Sequence, residues 1–209
     1  MTDVVTGQVG EQNFSDNQTP NQGFRMGRQG EQIHSQLHGR YYEQASRGRL
    51  FTAHAIITAP VIFSTAAGTG GPLLWNGSST HRLAILAVGW GISTVSTVAA
   101  VLGLTGGTGQ VAAPASTTAV DSVKNCFLGG AAPAASAYRL GTVSAAGNFF
   151  HPLGDLKTGA LTTEPGSMNW VDVGGMFVVP QYGWISVAAS ATASTTVGNF
   201  AIVWEEIPL

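Results

Sequence analysis

Lysine is nearly absent from this chain: Lys124 and Lys157 are the only two among 209 residues. Charged residues of all kinds make up 10% of it, against about a quarter in an ordinary soluble domain. A free protein keeps itself dispersed with a mixed charged surface. Here either partners cover much of the surface, or Ser, Thr, Ala and Gly act as the solvating groups. The single cysteine, Cys126, allows no internal disulfide, so nothing points to a disulfide-stapled secreted domain. Residues 1–30 lack an apolar h-region, and no signal peptide is expected. A net charge of −2 with pI near 6.2 lacks the basic balance of a nucleic-acid binder.

Motifs for chemistry are missing as well. No Gly-x-Ser-x-Gly window supplies a nucleophile elbow. The stretch Gly103-Leu-Thr-Gly-Gly-Thr-Gly109 has no lysine behind it to serve a phosphate, and reads as part of a loop spanning Thr105–Thr118. The carboxylates Asp121, Asp155, Glu164 and Asp172 are scattered, and the adjacent Glu205-Glu206 fall on opposite faces of a strand, one of them toward water. His34 and His38 would share a helix face with Glu31, a set that could hold a metal, but an exposed polar face on a Gln-rich segment accounts for them more simply. Cys126, beside Phe127 in an apolar stretch, reads as a buried hydrophobe. The expectation is a protein that is not an enzyme, with no cofactor and no metal.

Leu83–Leu104 runs 22 residues without a charge, and about 20 apolar residues can cross a bilayer as a helix. Its Gly, Ser and Thr content, its β-branched residues and its lack of flanking basic clusters favour strands instead, so no membrane partner is expected.

The composition changes near residue 50. Residues 1–50 carry five acids and five arginines, whereas 51–120 carry Arg82 alone. The first fifty residues read as an extended N-terminal arm, too poor in apolar anchors over 1–29 to offset its ordering entropy alone. Ile33, Leu37, Tyr41 and Ala45 recur at i+4 and predict a short helix at about 30–47, with Gly48 as its stop.

From residue 51 to 209 the signal is β. Phe51–Phe63 is apolar and β-branched, broken by Pro60, and Leu83–Val101 holds one or two long strands. Leu73-Leu-Trp75 leads into Asn76-Gly77, the dipeptide of tight hairpin turns. Short strands are expected around Val120–Leu128 and Tyr138–Val143, a long connection over Phe149–Gly166, and strands at Trp170–Pro180 and Gly183–Ala191 separated by Gln181-Tyr182. In Asn199–Ile207, Phe200, Ile202 and Trp204 share one face, the period of a half-buried strand. With no βαβ rhythm, the fold class is all-β: a jelly-roll-like β-sandwich of about eight strands behind an extended N-terminal arm and a short helix. The five tryptophans are expected in its core or at subunit seams rather than as a sugar platform. The sequons at Asn13, Asn17 and Asn76 are taken as chance matches.

The polar feature with functional promise is the arm's set of arginines and tyrosines: Arg25, Arg28, Arg40, Tyr41, Tyr42, Arg47 and Arg49. The planar guanidinium binds carboxylates bidentately and stacks on tyrosine rings, which suits a partner-binding role. A solvated linker explains the same residues equally well.

Leu37-His-Gly-Arg-Tyr-Tyr-Glu-Gln-Ala-Ser-Arg-Gly-Arg-Leu-Phe51 is similar to the segment entering the β domain in structural proteins of tailed bacteriophages. Gly175-Met-Phe-Val-Val-Pro-Gln-Tyr-Gly-Trp-Ile-Ser-Val-Ala-Ala189 and Phe200-Ala-Ile-Val-Trp-Glu-Glu206 resemble closing strands of that group. The resemblance implies a virion protein with a jelly-roll-like body, closest to the capsid decoration or cement type, an oligomer seated between major capsid subunits; a homotrimer on the capsid surface, with the major capsid protein as partner, is the expectation. A tail or fibre module that binds a receptor or carbohydrate and a self-assembling jelly-roll capsid protein are the other expectations.

Overall fold

The computed structural model describes residues 40–58, 72–94, 99–116, 122–138, 141–144, 147–156, 169–190 and 197–209. The chain divides into two units, Met1–Tyr42 and Glu43–Leu209. Of the first, residues 40–42 are described; the second is the β body.

One turn of helix, α1 (Tyr42–Ser46), begins at the last residue of the first unit and continues into the body. The part of the predicted helix before residue 40 lies outside the described residues. Gly48 ends α1 as expected. Its φ of 67° places it in the left-handed region, its N–H donates to Ala45 O (2.9 Å), and Arg49 N–H donates to Gln44 O (3.0 Å). This paired arrangement closes the carbonyls that a helix end leaves open.

The strands are β1 (Leu50–Thr58), β2 (Leu73–Trp75), β3 (His81–Thr94), β4 (Ala100–Gly107), β5 (Ala115–Ser116), β6 (Ser122–Asn125), β7 (Ser136–Tyr138), β8 (Gly141–Thr142), β9 (Asn148–Leu156), β10 (Asn169–Val179), β11 (Trp184–Ala189) and β12 (Val197–Pro208). One five-stranded sheet has the order β10-β3-β12-β1-β6 and the other β7-β2-β11-β4-β9, while β5 and β8 form a separate ribbon. Every pairing among the described residues is antiparallel.

Setting β5–β8 aside exposes the plan. β1 pairs with β12, β2 with β11, β3 with β10 and β4 with β9. This is one long antiparallel ribbon, which rolls up when β12 meets β3 and β11 meets β4. Eight strands so arranged are a jelly roll. The stretch carrying β5–β8 is an insertion between its fourth and fifth strands. It adds β6 to the edge beside β1 and β7 to the edge beside β2.

The core lies between the sheets. In β12, Phe200, Ile202 and Trp204 are buried as the alternation predicts, and Phe51 of β1 stacks on Trp204 with ring centroids 5.9 Å apart. β3 interrupts its own alternation. Its inward residues are Leu83 and Ile85, then Val88 and Trp90. Both neighbours skip Leu86: Trp204 pairs with Ile85 and Val203 with Ala87, while Phe177 pairs with Ile85 and Asp172 with Ala87. A bulge at Leu86 thus swaps odd for even positions partway along the strand. A second, smaller cluster of Leu73, Val143 and Trp184 joins the outer side of the β2-β11 pair to the insertion.

Three local expectations are corrected. Asn76-Gly77 makes no hairpin, because β2 and β3 belong to different sheets and Gly77 has no positive φ. The loop expected from Thr105 begins later, since β4 runs to Gly107. Much of the expected connection after Phe149 is β9, which carries Pro152. Proline is tolerated there because β9 is an edge strand and its pairing with β4 shifts register twice. Gln181-Tyr182, by contrast, turns the chain where it was expected to, carrying it between sheets with Gly183 N–H donating to Pro180 O (2.9 Å) and Tyr182 at φ 59°. The turn expected at Ala193–Val197 falls largely outside the described residues.

Candidate partner-binding surface

One end of the sandwich, where β1 and β3 begin and β12 finishes, is knit together by buried amides. Asn76 is fully buried. Its Nδ2 donates to His81 O (2.9 Å) and Val179 O (3.1 Å), and its Oδ1 accepts Ser78 N–H (3.0 Å). Its backbone N–H donates to Gly183 O and its carbonyl accepts Tyr182 N–H. Two crossings between the sheets are pinned to each other by this one residue. The sequon's asparagine is therefore committed to structure, and its side chain offers no acceptor site for a glycan. Gln110 plays a similar part: Nε2 donates to Ala112 O (2.8 Å), Oε1 accepts Ser144 N–H and Oγ–H, and its carbonyl accepts Trp75 Nε1–H (2.8 Å).

Glu205 and Glu206 fall on opposite faces of β12, as the alternation predicts. Glu206 is buried on the core side of β12, in line with Trp204, and its carboxylate accepts Ala134 N–H and Ala135 N–H, both at 2.9 Å. Its neighbour Glu205 is half-buried on the other face. The carboxylate clamps the inserted segment against the last strand.

Beside this clamp the insertion forms an exposed tip. Asn125, buried at the end of β6, donates from Nδ2 to Gly48 O (2.9 Å) and Ala131 O (3.1 Å), while its Oδ1 accepts Phe127 N–H (2.9 Å). Gly129 takes a φ of 90°, and Gly130 N–H donates to Phe127 O (2.8 Å). Phe127 and Leu128 are left pointing into solvent, 53% and 88% exposed. Cys126 is exposed too rather than buried, although partial desolvation raises its thiol pKa above the ordinary value.

Of the arginines and tyrosines singled out from the sequence, Arg25 and Arg28 lie outside the described residues. In the first unit, the Arg40 guanidinium lies 5.3 Å from the centroid of the Tyr41 ring, a cation–π contact, and Tyr42 is exposed. In the second unit, Arg47 and Arg49 are exposed on either side of Gly48. Because Gly48 is tied to Asn125 and Cys126 N–H donates to Leu50 O (2.8 Å), these two arginines flank the tip. Lys124, exposed on β6, is the third cation beside it. Sequence reasoning missed the tip, yet it had a signal: Phe127-Leu128 followed directly by Gly129-Gly130 marks two apolar residues at a turn.

Trp90, Trp184 and Trp204 are buried as expected and Trp75 is half-buried, but Trp170 is exposed on the edge strand β10, its ring resting over Gly89 of β3. Among the described residues no group of three His, Cys, Asp or Glu side chains could hold a metal ion, and no helix is long and apolar enough to cross a membrane. His34, His38 and Glu31 lie outside the described residues.

Compared with known proteins, the chain matches no family model, no curated protein and no solved structure.

Proposed function

We propose that this chain is a virion structural protein of the decoration or cement type. In this reading it sits on the capsid surface as a homotrimer and stabilises the shell by binding the major capsid protein. It carries out no catalysis and needs no cofactor, and neither nucleic acid nor membrane is its partner. The observation that supports it best is the clustering of exposed cations and apolar residues at one end of the β body. Arg47, Arg49 and Lys124 lie beside Phe127 and Leu128 where the chain enters its first strand. A chain poor in charge thus concentrates its means of adhesion at the start of its β body. Arm and tip then act together, and each added contact to the shell stabilises the particle by linkage.

The arm is tested by deleting residues 1–29 and measuring co-sedimentation with shells that lack the protein. Full occupancy by the truncated chain would overturn the arm's part in binding.

A second reading, a jelly-roll shell protein that assembles by itself, is favoured by the strand order, since viral capsids use this architecture. Light scattering after size-exclusion chromatography separates the two. A trimer fits decoration at a three-fold position, and a large closed particle fits self-assembly.

A further inference from the structure

We infer that β10 is the edge along which two copies of this chain pair, strand against strand about a two-fold axis. This contact lies apart from the surface described above and goes beyond the decoration reading.

β10 ends its sheet. β3 holds one side of it, and among the described residues no strand pairs with the other. An open edge presents backbone N–H and C=O groups that another strand can take up, and proteins block such edges with lysine, proline, charge or a bulge. Asn169–Val179 contains no lysine, arginine or proline. Its charged residue, Asp172, accepts Gly174 N–H at 2.8 Å. A bulge is present, since Val173–Met176 fall outside the register with β3. What it turns outward, however, is Met176, 70% exposed.

The outer side of β10 is apolar where an exposed sheet face is normally polar. Trp170 and Val178 share that side with Met176, at 55% and 52% exposed, while Val173 and Val179 between and beyond them are buried. On the inner side Phe177 meets Phe150 and His151 of β9, with ring centroids 4.8 and 5.4 Å apart. β9 ends the other sheet, and Phe150 is 42% exposed. Both sheets therefore end on one apolar flank.

The area of this flank suits a second copy. The exposed parts of Trp170, Met176, Val178 and Phe150 amount to roughly 450 Å², and a specific interface begins at about 500 Å² on each side. Two copies meeting here reach that size once the strand backbone is included. Charge selects no other partner. Asp172, Asp155 on β9, Arg82 at the start of β3 and Glu205 on β12 are the charged side chains on or near the flank, and they are mixed in sign. A two-fold axis sets an antiparallel strand against itself, so the apolar side of one copy meets the same apolar side of the other.

The experiment follows the solution mass of the full chain by light scattering over a range of concentrations. An interface near the lower size limit is reversible. At high concentration the mass should be an even multiple of the chain: two, or six where the three-fold contact proposed above also forms. On dilution it should fall by half. Met176→Lys with Val178→Lys should hold the protein at the lower mass throughout, with thermal unfolding unchanged because both side chains are exposed. Each lysine adds one positive charge, taking the net charge from −2 to 0, so general repulsion does not explain such a loss. Phe127→Lys with Leu128→Lys makes the same change beyond β6, at the opposite edge of the sheet, and should leave the doubling intact. Amide exchange over β10 in the unchanged chain should slow as the concentration rises. The inference is overturned by a parent mass that is never an even multiple, by doubling that survives in the β10 variant, by doubling lost equally in both variants, or by β10 exchange that ignores concentration. The decoration reading stands or falls separately, on binding to shells.

Discussion

Glu206 on the last strand accepts the backbone N–H of Ala135, 71 residues earlier in the chain, at 2.9 Å. The other carboxylate oxygen accepts Ala134 N–H at the same distance. The insertion is thereby fastened to the end of the jelly roll by a group from a distant strand. Glu206→Ala would leave two amide donors without their acceptor and should cost about 3 kcal/mol. Glu206→Gln, which keeps one acceptor oxygen, should cost less. Urea unfolding of both variants tests this ranking, and equal stability of the alanine variant and the parent would show that the clamp is dispensable.

Asn76 joins both crossings between the sheets, with its amide nitrogen shared between His81 O and Val179 O. Asn76→Asp places a carboxylate oxygen against two carbonyls in a buried site. It should therefore destabilise more than Asn76→Ala, by about 3 kcal/mol or above for the charge against about 2 for the truncation. Thermal unfolding near neutral pH gives the comparison. Lowering the pH should narrow the gap, since the introduced carboxyl, once protonated, is neutral and can donate one hydrogen bond.

Gly48 offers a cleaner test of backbone conformation. A Cβ there would meet nothing closer than 3.6 Å, so substitution creates no clash. The φ of 67° remains unfavourable for an L-residue, and Gly48→Ala should cost about 1 kcal/mol. The change would be read as a lowered midpoint in urea with an unchanged slope.

Cys126 is exposed but partly desolvated, and desolvation raises its pKa. The thiolate is the reactive form, so at neutral pH the cysteine should react with a maleimide more slowly than a free thiol. The rate should climb until the pH passes above the ordinary cysteine range. A rate profile that levels off at or below that range would contradict the raised pKa.

Some of this architecture was legible residue by residue. The alternation of Phe200, Ile202 and Trp204 and the stop at Gly48 both depend on neighbours a few positions away, and both hold in the structure. Other readings failed where the same local signal has two outcomes. Asn76-Gly77 announces a change of direction, but a hairpin and a crossing between sheets begin alike. Pro152 argues against a central strand, and β9 escapes that rule by lying on an edge. The candidate surface divides in the same way: Arg47 and Arg49 stood out as residue types, whereas their place beside Phe127 depends on Asn125 reaching back to Gly48 across 77 positions.

By itself the sequence determined the all-β class, the inward face of the closing strand and the change of composition near residue 50. These follow from side-chain period, turn chemistry and solvation, which act over a few residues. Only the tertiary structure decided which strands pair, that Leu86 bulges so that the inward face of β3 changes parity, that the Glu206 carboxylate meets Ala134 and Ala135, and that the tip stands next to two arginines. Each of these outcomes depends on contacts between segments far apart in the chain, whose free energy is set by the whole packed arrangement rather than by any one stretch.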